Sequence, residues 1–284
     1  MIDQAYLASP AHLPPGWSAL SRAERDQAYN NAAATPDRDA IVARRDADGA
    51  SWRAAHPQHL DLAYAPGERT KWDLFPAENP AAPCMVFIHG GFWQYNSREN
   101  FAAVAAGARA HGWSVALPGY TLAPAISLSG IIDEIHAALD WLAAHGPAHG
   151  IAGPIILTGW SAGGHLAAAA LDHPSVVAGM AVSGIYELLP LRDMYVDDLL
   201  KLSDADIAAG SPIRHPPSRK KLIIGYGSAE LPEMVRQSRD FHAWRAAHHC
   251  PGALIPVAGA NHFSVLEQMQ NPDGELLRAM RALV

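Results

Sequence analysis

Cysteine is scarce in this chain of 284 residues, which contains only Cys84 and Cys250. The two are far apart, and neither belongs to a Cys-x-x-Cys pattern or to a Cys/His group with metal-ligand spacing. A disulfide framework and a zinc site are therefore not expected. Cys84 opens the apolar run CMVFI and is expected to be a small buried side chain.

Positive charge and long apolar runs are also lacking. The formal net charge is −7 and no basic cluster outweighs it, which argues against nucleic acid or an anionic membrane as a partner. The apolar runs fall well short of the roughly 18 residues that a membrane span needs. The first residues, MIDQAYLASPAHLPPGW, lack the basic and apolar regions of a signal peptide. We expect a soluble cytoplasmic protein that acts on a small molecule, and the composition permits a homodimer without requiring one.

Hydrophobic residues make up 49% of the chain, enough for a sizeable core, and their pattern predicts a sheet. Two alternating segments, 59–65 and 70–77, flank the turn PGER and predict an antiparallel hairpin. Continuous apolar runs, beginning with CMVFIHG at 84–90, then alternate with helical patterns. This order predicts an α/β protein with a mostly parallel eight-stranded sheet, an antiparallel first strand pair and helices on both faces.

One domain over residues 1–284 is expected, with two less regular parts. Residues 1–58 contain a predicted short helix at LSRAERDQAYNN and little other periodicity. They are interpreted as an N-terminal extension that braces the domain or forms a lid over its site. Residues from about 185 to 216 are interpreted as a small cap-like insert between two strands.

The stretch TGWSAGGH, residues 158–165, holds the most informative motif. Gly159, Ser161 and Gly163 form G-x-S-x-G between an apolar strand and a small-residue helix, which is the context of the nucleophile elbow in the α/β-hydrolase fold. A turn this sharp needs glycines as neighbours and leaves the serine hydroxyl at the N-terminus of the helix. We predict that fold, with Ser161 as the nucleophile.

A serine nucleophile needs a base, and the base needs an orienting acid. In this fold the acid and then the histidine follow the serine along the chain. His262 lies in the loop after the last predicted strand, where the base is expected. The acid should follow the strand KLIIGYG, where Glu230 comes first and Glu233 is the alternative. Glu233 stands in the first turn of a predicted helix, where the helix dipole also explains a carboxylate, so Glu230 is preferred.

The stretch IHGGFWQY, residues 88–95, ends a buried strand with two glycines. In this fold, part of the oxyanion hole follows the third strand. Gly90, Gly91 and Phe92 can therefore turn backbone N–H groups toward a negative carbonyl oxygen, together with the N–H of Ala162. His89 is expected to hold the loop rather than to transfer protons.

Aromatic residues near these motifs are the candidates for the substrate-binding wall, namely Trp93, Tyr95, Trp160 and Tyr186. Aromatic walls suit a planar aryl substrate. The sequence does not single out one arginine as the ligand of a substrate carboxylate. Arg98 and Arg192 are the two candidates.

The motif HGGFW resembles the HGGxW motif of the kynurenine formamidases, or arylformamidases, which are α/β-hydrolases near the hormone-sensitive-lipase-like esterases. The likeness extends to GWSAGGHLAA, SGIYELLPL, PEMVRQSRDF and GANHFSVLE, in the expected order along most of the chain. The resemblance implies Ser161 as nucleophile, His262 as base, and Gly90, Gly91 and Ala162 near the oxyanion. The family's acid is usually an aspartate two residues before a Pro-Glu pair, and here Glu230 holds that place.

This resemblance implies a serine hydrolase without cofactor or metal that cleaves a small aryl formamide, such as N-formylkynurenine, or a related arylamide. The reaction would pass through an acyl-enzyme formed by a Ser-His-Glu triad. A short-chain carboxylesterase is the alternative with the same chemistry. A non-catalytic binding protein on the hydrolase scaffold is a more distant alternative.

Overall fold

Eight β-strands form one sheet in residues 13–284, which are the residues that the computed structural model describes. In chain order the strands are β1 (Leu62–Ala63), β2 (Lys71–Phe75), β3 (Cys84–Ile88), β4 (Ser114–Pro118), β5 (Ile155–Trp160), β6 (Val176–Val182), β7 (Lys221–Gly227) and β8 (Leu254–Val257). Across the sheet they lie in the order β1-β2-β4-β3-β5-β6-β7-β8. The β1–β2 and β2–β4 pairs are antiparallel and the other pairs are parallel. The predicted eight-stranded sheet with an antiparallel start is confirmed.

The central strands are apolar throughout because both of their faces are covered. In β3, Cys84, Val86 and Ile88 belong to one core cluster, and Met85 and Phe87 belong to the cluster on the opposite face. Successive side chains of a strand point to opposite faces, so each face receives every second residue. A continuous apolar run is therefore what a sheet covered on both faces requires.

The helices cover both faces and complete the predicted α/β architecture. They are α1 (Arg22–Tyr29), α2 (Arg38–Ala55), α3 (Ala105–Ala110), α4 (Leu128–His145), α5 (Ala162–Ala169), α6 (Asp197–Leu200), α7 (Asp204–Gly210), α8 (Pro232–Ala247), α9 (Glu267–Gln270) and α10 (Glu275–Arg281). Helix α4 buries the predicted face of Ile131, Ile135, Leu139 and Leu142. None of the helices within residues 13–284 combines the length and apolar character needed to cross a bilayer.

The N-terminal part contains more helix than its sequence pattern indicates. The predicted short helix is α1, which begins with a capping box between Ser21 and Glu24. The pattern does not predict the 18-residue helix α2, because this helix has no apolar stripe and Gly49 is its one buried residue. A Cβ atom at Gly49 would lie 2.5 Å from the carbonyl oxygen of Glu99, so the helix packs there backbone against backbone. A helix that packs through a glycine does not need apolar residues at helical spacing, so its sequence lacks the pattern by which an amphipathic helix is predicted.

Two predicted helices are divided in the structure. The segment RENFAAVAAGARAHG begins as a 3₁₀ helix over Arg98–Val104 and continues as α3. The last segment is split into α9 and α10 by a turn at residues 271–274, where Asn271 and Pro272 interrupt the helical pattern. The region from 185 to 216 contains α6 and α7 between short 3₁₀ turns.

Candidate active site

Ser161 lies in a sharp turn between β5 and α5. Its backbone has φ 58° and ψ −120°, a strained conformation for a residue other than glycine. A Cβ atom at Gly159 would collide with the backbone of Gly163, and one at Gly163 would collide with the carbonyl oxygen of Ile88. The two glycines of G-x-S-x-G are therefore a steric requirement of this turn, which places Ser161 at the carboxyl end of the sheet.

His262 lies within hydrogen-bond distance of Ser161. The distance between Ser161 Oγ and His262 Nε2 is 3.1 Å, so the hydroxyl can donate to the imidazole. The loop after β8 is fixed from two sides. Trp160 Nε1 donates to the carbonyl oxygen of His262 at 2.8 Å, and Asn261 Oδ1 accepts from the backbone N–H groups of the two residues that follow His262. The imidazole is thereby held against the serine.

Glu230 stands on the other side of His262. His262 Nδ1 donates to Glu230 Oε2 at 2.8 Å. The second carboxylate oxygen, Oε1, accepts from Ser183 Oγ at 2.5 Å and from the Gly227 backbone N–H at 2.6 Å. The carboxylate of Glu230 is fully buried, and each of its oxygens has a donor. The longer glutamate side chain is thus folded back onto its own turn after β7.

The alternative acid, Glu233, does not approach the histidine. It lies in the first turn of α8 and forms an ion pair with Arg236 at 2.8 Å. Of the two carboxylates that the sequence offers, the structure brings Glu230 to His262. Sequence reasoning does not identify Ser183 as a site residue. Its only sequence signal is its place in SGIYELLPL, one of the segments that carry the family resemblance.

The loop after β3 turns back on itself directly beside the serine. Gly91, Phe92 and Trp93 have successive φ values of 123°, 48° and 59°. A Cβ atom at Gly90 would lie 2.6 Å from the Trp160 carbonyl oxygen and 2.9 Å from Cβ of Ser161, so the loop packs on the elbow through its glycine. A Cβ atom at Gly91 would collide with the carbonyl oxygen of Tyr95.

This loop leaves backbone donors free beside Ser161. The N–H groups of Gly91, Phe92 and Ala162 donate to no acceptor among residues 13–284. Ala162 begins α5, so its N–H also has no partner within the helix. Such donors next to a nucleophile can stabilise an oxyanion.

His89 holds the loop after β3 through a hydrogen bond to its backbone. Its Nδ1 donates to the carbonyl oxygen of Gly90 at 2.9 Å, and its ring stacks on Tyr120 with centroids 4.3 Å apart. Burial lowers the pKa of His89 to about 3, so the ring is neutral at physiological pH. The side chain contributes a fixed hydrogen bond and not a proton.

The chain is similar in sequence and in fold to several known hydrolases. Residues 73–173 match the BD-FAE family. A kynurenine formamidase from Salmo salar is 27% identical over 239 residues, which cover 78% of this chain and 80% of that protein. A provisionally named thioesterase from Silicibacter sp. tm1040 has a similar structure, with 29% identity, a TM-score of 0.81, and coverage of 90% of this chain and 98% of that one. Esterase B from Lactobacillus rhamnosis shares the fold at 22% identity and a TM-score of 0.66, covering 86% and 96% of the two chains.

The chain has the α/β-hydrolase fold and is similar to the kynurenine formamidases over most of its length. It is a hydrolase, as the names of its relatives and structural neighbours indicate. The backbone N–H of Gly227 and the hydroxyl of Ser183 bind the Glu230 carboxylate oxygen that faces away from His262.

The candidate active site opens into a cavity of about 220 Å³. Ser161 and His262 lie in its wall, and most of the rest is aromatic, amide or aliphatic. The lining residues within 13–284 are Asn30, Asn31, Ala32, Arg38, Val42, Arg45, Gly91, Phe92, Tyr95, Asn96, Trp160, Ser161, Tyr195, His262 and Phe263. A neighbouring cavity of about 410 Å³ shares Val42, Arg45, Trp160 and Phe263 with it.

Two of the four predicted aromatic wall residues line this cavity, namely Tyr95 and Trp160. The other two require correction. Trp93 is fully buried and packs edge-on against His165 with ring centroids 4.9 Å apart, and Tyr186 is fully buried and stacks on Phe241 at 4.2 Å. The left-handed turn of the loop after β3 brings Phe92 to the cavity and sends Trp93 into the core.

The two arginines named as candidate carboxylate ligands do not line the cavity. Arg98 is buried in a network of ion pairs with Asp61, Asp73 and Glu99, which ties the 3₁₀ helix to the edge of the sheet. Arg192 pairs with the exposed Asp204 at 2.6 Å. The arginines that do reach the cavity, Arg38 and Arg45, lie on the unpredicted helix α2. Because this helix has no apolar period, no sequence signal indicates where its arginines lie.

Proposed function

We propose that this hydrolase cleaves a small aryl formamide, such as N-formylkynurenine or a close relative, with Ser161, His262 and Glu230 as a catalytic triad. The observation that carries the proposal is the continuous hydrogen-bonded series from Ser161 Oγ through His262 to Glu230. It ends at an aromatic cavity next to free backbone donors. The same series supports a catalytic protein over a non-catalytic binding protein on the hydrolase scaffold.

In the proposed reaction, Ser161 Oγ attacks the formyl carbon while His262 Nε2 takes the hydroxyl proton. Negative charge develops on the former carbonyl oxygen and is stabilised by the N–H groups of Gly91, Phe92 and Ala162. Glu230 stabilises the imidazolium. His262 then gives its proton to the leaving aryl amine as the C–N bond breaks, which leaves a formyl ester on Ser161. A water molecule that His262 deprotonates then attacks this ester, and His262 returns the proton to Ser161 Oγ as the acyl–oxygen bond breaks and formate leaves.

The position of Phe92 in the cavity wall supports a small acyl group. Phe92 follows the two glycines directly and lies in the cavity wall, so bulk stands close to the oxyanion donors. A formyl group carries only hydrogen on its carbonyl carbon and fits such a site. The Phe92 and Tyr195 rings pack edge-to-face with centroids 6.0 Å apart. Together with Phe263 they form an aromatic wall suited to a planar aryl amine.

A short-chain carboxylesterase is the second candidate. The neighbouring cavity of about 410 Å³, which shares four wall residues with the first, offers room for an acyl group larger than formyl. The chemistry at Ser161 would be the same, with an alcohol leaving in place of an amine.

We also propose that the N-terminal segment and the insert act together as the roof of the site. Their contacts support this: Arg22 of α1 forms two hydrogen bonds with Asp198, at 2.7 and 2.8 Å, and the backbone N–H of Tyr195 donates to Asp26 at 2.8 Å. Asn30 and Tyr195 contribute to the cavity wall from the two segments.

The test is hydrolysis of N-formylkynurenine and of p-nitrophenyl acetate by the purified protein and by Ser161→Ala. We expect fast formamide cleavage, and a loss of about 10⁶-fold in kcat in the variant if the serine acts as in other triad hydrolases. Cleavage of the ester alone, lost in the variant, would keep the mechanism and assign the esterase function. Activity that survives in a folded Ser161→Ala protein would contradict the proposed nucleophile.

A further inference from the structure

The cavity that holds Ser161 and His262 is lined by two arginines and by no acidic residue within 13–284. Both arginines, Arg38 and Arg45, belong to α2. A cavity whose charged wall residues are all cationic favours an anionic group on the ligand. An arginine can bind that anionic group only if its guanidinium is not already held by a strong partner within the protein.

Arg45 is already occupied by the protein. Its guanidinium donates to Asp46 at 2.7 and 2.8 Å and lies over the Phe101 ring, 4.3 Å from the ring centre. Its side chain is 15% exposed, and burial lowers its pKa without removing the charge of a guanidinium. Arg45 therefore adds positive potential to the cavity from a fixed position.

Arg38 has a much weaker internal partner. Its side chain is 44% exposed, and it pairs with Asp39, the next residue, whose side chain is 90% exposed. An ion pair between two such exposed groups contributes little free energy and is readily exchanged. Asp39 does not line the cavity.

Other arginines of α2 differ in position or in partner. Arg44 pairs with Glu267 and lines only the neighbouring cavity. Arg53 binds Asp73, which is fully buried, at 2.9 Å and has no part in either cavity. Among the arginines of α2, Arg38 thus combines two properties: it lines the Ser161 cavity, and its ion pair with Asp39 is weak enough to be replaced by a ligand.

We propose that Arg38, with Arg45 behind it, binds a carboxylate on the leaving-group half of the substrate while Ser161 attacks the acyl group. The inference deepens the proposed function and rests on it for the role of Ser161. The acyl carbon lies at the oxyanion donors, the aryl ring lies along Phe92 and Tyr195, and the carboxylate lies at the α2 side of the cavity. Arg38 is then a specificity-determining residue for anionic aryl substrates.

The test compares two substrates that differ by one charge, 3-formamidobenzoate and 3-formamidobenzamide. We expect the native protein to prefer the anion, and Arg38→Met to lose about tenfold in kcat/KM for the anion through KM, the effect of one charge-assisted hydrogen bond at a half-exposed group. The neutral amide should be hydrolysed as before. Arg44→Met is the matched control and should leave both values unchanged, and Arg38→Lys should retain part of the preference.

The same experiment separates this inference from the formamidase function. If formamides are not cleaved, the pair 3-acetoxybenzoate and 3-acetoxybenzamide replaces them, with the same expectation for Arg38→Met. Independently of turnover, calorimetric binding of 3-aminobenzoate to Ser161→Ala should weaken about tenfold when Arg38→Met is added. Equal losses for the charged and neutral substrates, the same loss in Arg44→Met, or unchanged 3-aminobenzoate binding would each overturn the role of Arg38.

Discussion

Two regions that contribute to the candidate active site and its cavity are built in different ways. The loops after β3, β5, β7 and β8 carry the free donors and the buried residues Ser161, Glu230 and His262, and the turns after β3 and β5 depend on glycines where a Cβ atom would collide with the backbone. The N-terminal segment, residues 13–58, covers the same cavity with a polar, arginine-rich helix that is largely exposed. Under the proposed function, the first region would carry out the chemistry and the second would contact the part of the substrate that does not react.

This difference predicts how changes in the two regions separate in kinetics. If groups in the strand-end loops act on charge that develops in the transition state, as proposed, their loss lowers kcat. If groups in the N-terminal segment contact the substrate equally in the ground state and the transition state, their loss raises KM. Substitutions in each region, together with one change of pH, test that separation.

The largest effect is expected for Glu230→Gln. The amide keeps the size of the side chain but has no charge to stabilise the imidazolium of His262. If its oxygen faces His262, its NH₂ group faces the Ser183 hydroxyl and the Gly227 N–H, which donate hydrogen bonds to the carboxylate in the native protein. We expect kcat to fall by about 10³–10⁴-fold. Ser183→Ala, which removes one of the donors to the carboxylate, should lower kcat by about tenfold. A Glu230→Gln protein with nearly native kcat would show that this glutamate is not the triad acid.

Gly91→Ala should follow. The added Cβ would meet the Tyr95 carbonyl oxygen at a position with φ 123°, and the donors of the loop would shift. A lost oxyanion donor typically costs about 10²–10³ in kcat. Gly112→Ala is the control, because Gly112 also has positive φ, 73°, but a methyl group there would meet no atom within 4 Å. It should cost stability and leave kcat unchanged, and equal losses of kcat in the two variants would argue against a specific role of the loop.

Acid should destabilise the fold through its buried neutral histidines. Burial lowers the pKa of His89 to about 3 and of His165 to about 4, whereas an unfolded histidine titrates near a pKa of about 6.5. Between these values the unfolded chain binds more protons, so stability is fully present above about pH 6.5 and is lost as the pH falls toward the folded pKa. Each histidine should cost about 2 kcal/mol at about pH 5 relative to high pH.

Denaturant unfolding at about pH 7 and about pH 5 measures this loss. In His165→Gln the difference between the two pH values should shrink by about 2 kcal/mol. His248→Gln, at the end of α8, is a control in a half-exposed position. An unchanged pH difference in the His165 variant would mean that this histidine is protonated in the fold.

The smallest effect is expected from the N-terminal segment. Gly49→Ala places a methyl group 2.5 Å from the Glu99 carbonyl oxygen, so α2 must move away from the 3₁₀ helix and carry Arg38 and Arg45 with it. We expect KM to rise by several-fold to about tenfold, with kcat little changed. Ala50→Ser, at an exposed position of the same helix, is the control. A loss confined to kcat would contradict the separation between the two regions.

The sequence supports different degrees of inference in the two regions. Continuous apolar runs and alternation identify all eight strands, since a sheet covered on both faces leaves a hydrophobic pattern. G-x-S-x-G and HGG identify the turns, since only glycine fits where a Cβ atom would strike the backbone. Helix α2 leaves no such pattern because it packs through Gly49. Trp93 and Tyr186 are predicted to line the cavity and are buried in the core instead. The sequence shows that an aromatic residue is near a motif, but not the direction in which the backbone points its side chain.

By itself, the sequence determined the order of the strands along the chain, the elbow at Ser161 and the place of His262, because each depends on local steric rules or on chain order. Tertiary structure decided the rest. It brings Glu230, and not Glu233, to His262. It also places Ser183, from the end of β6, beside Glu230 and places α2 at the cavity. These outcomes depend on contacts between residues far apart in the chain, where many side chains compete for the same partners and only the packed fold selects among them.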